Sequence, residues 1–196
     1  MAGLHVSLSF LVLAGLMNLG MLSASENGNN YLREACSVTR YRDLCIHSLA
    51  SFSHTAKRSP SRWARAGVSV TIGEAKHVAQ YLVKLRKRGT MRGRNGAALS
   101  DCIECFQDAI DNLLNSLGML RKLSSKAFDR QMSDVSTWMS AVLTDEDTCL
   151  DGFDGSKGKR AKLIRNQVQN VTYITSNALA LVNKLATAGA GSLNIP

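Results

Sequence analysis

The sequence predicts an all-α protein: an antiparallel up-and-down four-helix bundle preceded by an N-terminal helical hairpin and tied by two disulfides. Several long windows repeat apolar residues at steps of three and four, and no stretch alternates apolar and polar residues over strand length. Only two prolines occur in 196 residues, so long helices meet few breakers. Five cysteines, Cys36, Cys45, Cys102, Cys105 and Cys149, are too few for a disulfide-dense miniprotein. They suit two staples in an oxidising compartment, with one thiol left over.

Residues 1–25 contain no Lys, Arg, Asp or Glu, and Val6 to Leu22 is almost wholly apolar before Ser23, Ala24 and Ser25. This is the pattern of a secretory signal peptide cut near Ser25, and it places the mature chain outside the cell. No later apolar run is long enough to span a bilayer, so no membrane partner is expected after cleavage. Residues 26–196 are enough for a single domain with a full core.

Residues 26–60 are read as the hairpin, with helical segments over Asn30–Cys36 and Leu44–Phe52 joined by a polar loop. Cys36 and Cys45 suit a pin across it, contributing about 2.6 kcal/mol by loop entropy. Residues 61–188 are read as the bundle. Its first helix is expected to start at Ser61 after Ser59-Pro60 and to stop before Gly89. One face of it carries Trp63, Ala66, Val70, Gly73, His77 and Tyr81, broadened by Val68, Ile72, Ala75, Ala79, Leu82 and Val83. The string from Arg86 to Gly96 holds five basic residues and three glycines and reads as a mobile connection.

The clearest periodicity follows. Leu99, Ile103, Phe106, Ile110, Leu113, Leu117 and Leu120 alternate steps of four and three, the seam of a bundle helix. Ser124 and Ser125 separate it from a third helix, whose stripe is Phe128, Met132, Val135, Trp138, Met139 and Val142. That helix runs into three acids, Asp145 to Asp147, and then Cys149, which is placed to reach back to Cys102 or Cys105. A link from Cys102 would contribute about 4 kcal/mol. Residues 151–158 are turn-rich, and a last helix uses Val168, Val171, Ile174, Ala178 and Leu185.

Enzyme chemistry finds little support. His5, His47, His54 and His77 show no metal-ligand spacing, and there is no nucleophile elbow or phosphate loop. No cofactor or metal is expected. Charge is unevenly divided: residues 95–155 carry eleven acids against four bases, while the rest of the chain holds twenty bases and four acids. The acidic middle can steer a basic partner. The basic remainder, including Lys57, Arg58, Arg62 and Arg65, can meet an anionic polymer. Nucleic acid is disfavoured because no zinc pattern or aromatic platform accompanies the charge.

Two long runs carry a resemblance. Ser-Asp-Cys-Ile-Glu-Cys-Phe-Gln-Asp-Ala-Ile-Asp-Asn-Leu, from Ser100 to Leu113, is one. Thr-Trp-Met-Ser-Ala-Val-Leu-Thr-Asp-Glu-Asp-Thr-Cys-Leu-Asp-Gly-Phe, from Thr137 to Phe153, is the other. With the paired spacing of Cys36 and Cys45, they resemble the plant invertase and pectin methylesterase inhibitor family over the whole mature chain. The resemblance implies that Cys36 pairs with Cys45 and Cys102 with Cys149, leaving Cys105 free. It also implies a secreted, non-catalytic inhibitor in the apoplast or cell wall. Lys126-Ala127-Phe128 stands where invertase inhibitors generally carry Pro-Lys-Phe. The third helix also follows the style of the esterase inhibitors, so pectin methylesterase is the expected target and acid invertase the alternative. Matched positions imply that Asp108, Asp111, Thr148 and Asp151 meet the enzyme in a one-to-one complex. Anionic pectin is a further expected partner; a secreted helical binder of anionic polysaccharide, inhibiting no enzyme, is the competing class. Asn170-Val171-Thr172 is an expected glycosylation sequon.

Overall fold

The computed structural model describes residues 27–194; the signal peptide predicted over 1–25 lies outside them. The hairpin has more pieces than its periodicity shows. Helix α1 covers 27–35 and passes through a 3-10 turn, Cys36–Val38, towards α2, Arg42–Leu49. A second 3-10 turn, Ala50–Phe52, and a single-turn helix α3, Ser53–Ala56, complete it.

The hairpin has its own small core, in which Leu32, Ala35, Cys36, Cys45, Leu49 and Ala56 pack on Trp63, Ala66 and Leu181 of the bundle. Polar clips reinforce it. The Asn177 side chain accepts from the Tyr41 N–H at 3.1 Å and donates to the Tyr41 carbonyl at 2.9 Å. The Tyr41 ring stacks on Tyr173 with centroids 4.0 Å apart.

Four long helices follow: α4 (Pro60–Lys87), α5 (Arg94–Arg121), α6 (Phe128–Gly152) and α7 (Lys159–Ala188). Each packs on the next in chain order, and α7 closes the ring on α4. With short links this is the up-and-down bundle. Helix α4 begins one residue earlier than expected because Pro60, with its fixed φ and no N–H, suits the first helical position. Helix α5 begins at Arg94, so only the first part of the basic string is a connection. There Gly89 and Gly93 hold φ of 59° and 57°, which favour glycine.

The expected face of α4 is corrected. Ala64, Val68, Ile72, Ala75, Val78, Leu82 and Leu85 face the bundle core, while Trp63 and Ala66 turn to the hairpin. Gly73 and His77 lie on the solvent side. The seam of α5 is as its spacing indicates: Leu99, Ile103, Phe106, Leu113, Leu117 and Leu120 are buried, and Ile110 packs at the edge. Burial of each such side chain contributes roughly 2 kcal/mol. Opposite α5, close approach of α4 and α7 depends on small residues, since a Cβ on Gly67 would lie 3.3 Å from Ala178. No described helix is long and apolar enough to cross a membrane.

Candidate functional site

The site is built on the antiparallel pair α5–α6. Cys102 and Cys149 are bonded with Cα atoms 4.4 Å apart. One turn further, a Cβ on Gly152 would come within 3.3 Å of the Ala98 Cβ, so small residues let the helices approach beside the staple. In the other direction along α5, Asp108 and Asn112 lie near enough to Asp145 of α6 to act on its carboxyl. Cys36 and Cys45 form the second disulfide, and Cys105 is free and half-buried.

The four residues expected to meet a partner are all exposed. Asp108 and Asp111 are neighbours one turn apart on α5. Thr148 and Asp151 stand on either side of Cys149 on α6. The Thr148 hydroxyl donates to the Thr144 carbonyl at 2.7 Å, so it is satisfied along its own helix. Asp108 lies six residues from Cys102, roughly 9 Å along the axis. The structure thus brings Asp108 to Asp145 and Thr148 to the staple, along one rim.

Asp145 adds a residue that the sequence did not single out. Burial raises its carboxyl above the ordinary value, and the charge of Asp108 raises it further, against a smaller lowering effect of the Asn112 side chain. Its Oδ2 is buried without a hydrogen-bond partner. The same acids act on Cys105, whose thiol is raised first by burial and then by Asp145, with Asp108 and Asp101 adding to it. A thiol so placed stays protonated and unreactive.

The three consecutive acids therefore divide. Asp145 is half-buried and Asp147 exposed, but Glu146 is fully enclosed, at 0% exposure. It continues the inward register of Val135, Met139, Val142 and Cys149, where the other buried residues are apolar. The Thr175 hydroxyl on α7 donates to its Oε1 at 2.7 Å, while Oε2 has no partner. Burial pushes its pKa from 4.5 to about 8, against the opposing effect of Thr175 and Thr172; the charges of Asp147 and Asp145 add to the rise. Glu146 is thus a neutral acid inside the bundle and leaves the acidic surface one charge poorer. Among the described residues, no three His, Cys, Asp or Glu side chains are grouped to hold a metal.

The family model described as "Plant invertase/pectin methylesterase inhibitor" matches residues 30–181. The chain belongs to this family. A relative from Arabidopsis thaliana, named "Pectinesterase inhibitor 6", is 45% identical over 163 residues, 82% of this chain and 78% of its own. The "21 kDa protein" of Daucus carota is 34% identical over 93% of this chain and 97% of its own. Among solved structures, the mutant form A of a pectin methylesterase inhibitor from Arabidopsis superposes with a TM-score of 0.62. It is 20% identical and covers 76% of this chain and 92% of its own, which places both in one helical-bundle fold. Family membership gives the α5–α6 rim its functional interest, because both sequence runs that carry the resemblance lie on it.

Asn170 of the sequon is exposed on α7, on a different helix from either acid pair.

Proposed function

We propose that the chain is a secreted, non-catalytic inhibitor of pectin methylesterase that covers the enzyme's pectin-binding cleft and so restrains pectin de-esterification in the cell wall. The observation that carries this reading is the 45% identity, across most of both chains, to a relative named as a pectinesterase inhibitor. Asp108, Asp111, Thr148 and Asp151 meet the enzyme in a one-to-one complex. The geometry supports that assignment. A helix pair bonded between Cys102 and Cys149 presents these side chains from rigid backbone, so little chain freedom is lost on docking. The rim's acids favour a basic enzyme surface and speed encounter.

Secretion depends on the leader of residues 1–25, and the wall supplies the oxidising setting in which both disulfides persist. Asn170 carries a glycan where the sequon is used. The basic half of the molecule binds de-esterified, anionic pectin.

The test is purified mature protein assayed against a pectin methylesterase and an acid invertase. Inhibition of the esterase alone, saturating at one inhibitor per enzyme, is expected. Full esterase activity in the presence of correctly folded protein would reject the reading, and inhibition of invertase alone would move the chain to the family's other target.

A further inference from the structure

A groove of about 610 Å³, lined by none of the rim residues Asp108, Asp111, Thr148 and Asp151, opens between the hairpin, α4 and the C-terminal end of α5. Lys57, Arg62, Arg65 and Arg121 line it, together with an apolar wall that includes Phe52 and Leu117; none of its lining residues is an Asp or Glu. Two of the guanidiniums are held in place. Arg62 Nη1 donates to the Thr55 carbonyl at 2.9 Å. Arg65 donates through Nε to the Ser61 carbonyl at 3.2 Å and through Nη2 to the Ser61 hydroxyl at 2.9 Å.

Lys57 is positioned at a cost. Its φ of 47° is the one positive value at a non-glycine residue among the described residues, a region that side chains with a Cβ avoid. The Trp63 indole N–H donates to its carbonyl at 2.8 Å, which fixes this turn. Arg65 shows what the clustering does: its pKa is lowered by burial and then by the like charges of Arg62 and Arg121. Like charges gathered in a concavity oppose folding unless an anion joins them.

We propose that this groove is a binding site for a linear polycarboxylate, an oligosaccharide bearing an uncapped carboxylate on successive sugars. Each guanidinium presents a planar fork of donors that matches a carboxylate, and two are pre-oriented by their backbone and hydroxyl partners. The Phe52 and Leu117 wall accepts the C–H faces of sugar rings. A methyl ester on each carboxyl would remove the charge and half of the acceptor pair. The choice of saccharide rests on the wall location proposed above, whereas the anion site itself does not depend on esterase inhibition.

The experiment measures fluorescence anisotropy of a labelled decamer of galacturonic acid with the full mature protein at low ionic strength. Its methyl-esterified form and a single-stranded DNA of equal charge serve as competitors. The free-acid decamer binds, the ester competes at least tenfold less well, and the DNA competes no better than the decamer. Arg62→Gln with Arg121→Gln, both at exposed positions, weakens binding at least tenfold. Lys84→Gln with Lys87→Gln, which removes the same charge from the far end of α4, changes it less than twofold.

In the unmutated protein the decamer protects Arg62 and Arg65 from phenylglyoxal, read by peptide mass spectrometry. Equal loss in both double variants, equal competition by the ester, tighter competition by DNA, or no protection of the two arginines would each overturn the proposal. Esterase inhibition by the Arg62/Arg121 variant stays at the unmutated level; if binding and inhibition fall together, the groove is not a separate site. Decamer binding without any esterase inhibition would instead count against the inhibitor reading and leave the groove standing.

Discussion

The α5–α6 pair and the α4–α7 side with its hairpin solve the same packing problem with opposite materials. The first brings its helices together through Gly152 on Ala98 and bonds them at Cys102–Cys149, and it carries acids outside and one inside. The second brings its long helices together through Gly67 on Ala178. It holds the hairpin by an internal disulfide, Cys36–Cys45, and by Asn177 hydrogen bonds. Basic residues line its groove. The crosslink between long helices thus falls where like-charged acids crowd, and where Glu146 and the partly buried Asp145 weaken the bundle as pH rises. The other side relies on shape and hydrogen bonds. The contrast sets a covalent bond between long helices beside clustered acids on one side, and packing with hydrogen bonds on the other.

The comparison breaks most sharply if the staple is removed. The Cys102→Ser, Cys149→Ser double variant is expected to lose about 4 kcal/mol by the chain-entropy relation. Loss of the shorter Cys36–Cys45 loop costs about 2.6 kcal/mol. Urea denaturation of both variants checks the order, and an equal or smaller loss for the long loop would contradict the larger role given to the α5–α6 staple.

The next largest effect depends on pH. The folded pKa of Glu146, about 8, lies above its ordinary 4.5, so folding favours the neutral acid. Its contribution is whole below pH 4.5 and is lost as pH rises towards 8. Between those limits the unmutated protein loses roughly 4 kcal/mol through this group, and the upward shift of Asp145 acts in the same sense. Glu146→Gln removes most of the slope while leaving Thr175 an acceptor. Denaturation midpoints measured from pH 4.5 to 8 decide this, and parallel pH profiles for the two proteins would contradict the burial of a protonated acid.

A smaller effect belongs to the hairpin. Asn177→Ala leaves the Tyr41 N–H without its acceptor, while the Tyr41 carbonyl keeps the Cys45 N–H at 2.9 Å, and is expected to cost about 1.5 kcal/mol. Amide exchange at Tyr41 quickens sharply, while the protection of the α5 seam falls only by the global loss of stability. Equal exposure of both would mean that the hairpin and bundle open as one unit.

Much of this was legible beforehand because bundle helices show their period in the sequence. The α5 seam needs only steps of three and four, and its assignment stands except for the marginal Ile110. The α4 stripe was harder: a helix that packs on the bundle and on the hairpin is apolar around more than half its circumference, so Gly73 and His77 were read onto a face that is in solvent. The short turn α3 and the helical start at Arg94 carry no period long enough to detect. At the rim, Asp108, Asp111, Thr148 and Asp151 came from the resemblance and not from any physical pattern. Glu146 was missed, although the register Val135, Met139, Val142, Glu146, Cys149 points inward at every step. Three consecutive acids read as surface until that register is counted. Asp145 and Asn112 were invisible because their proximity depends on how two helices align across the disulfide.

The proposed inhibitory surface is the stapled α5–α6 rim. Steady-state inhibition of a pectin methylesterase by the Asp108→Ala, Asp151→Ala double variant, with helicity and denaturation midpoint matched to the unmutated protein, tests it most directly. We predict an inhibition constant at least tenfold weaker. An unchanged constant in a folded variant would contradict the proposal.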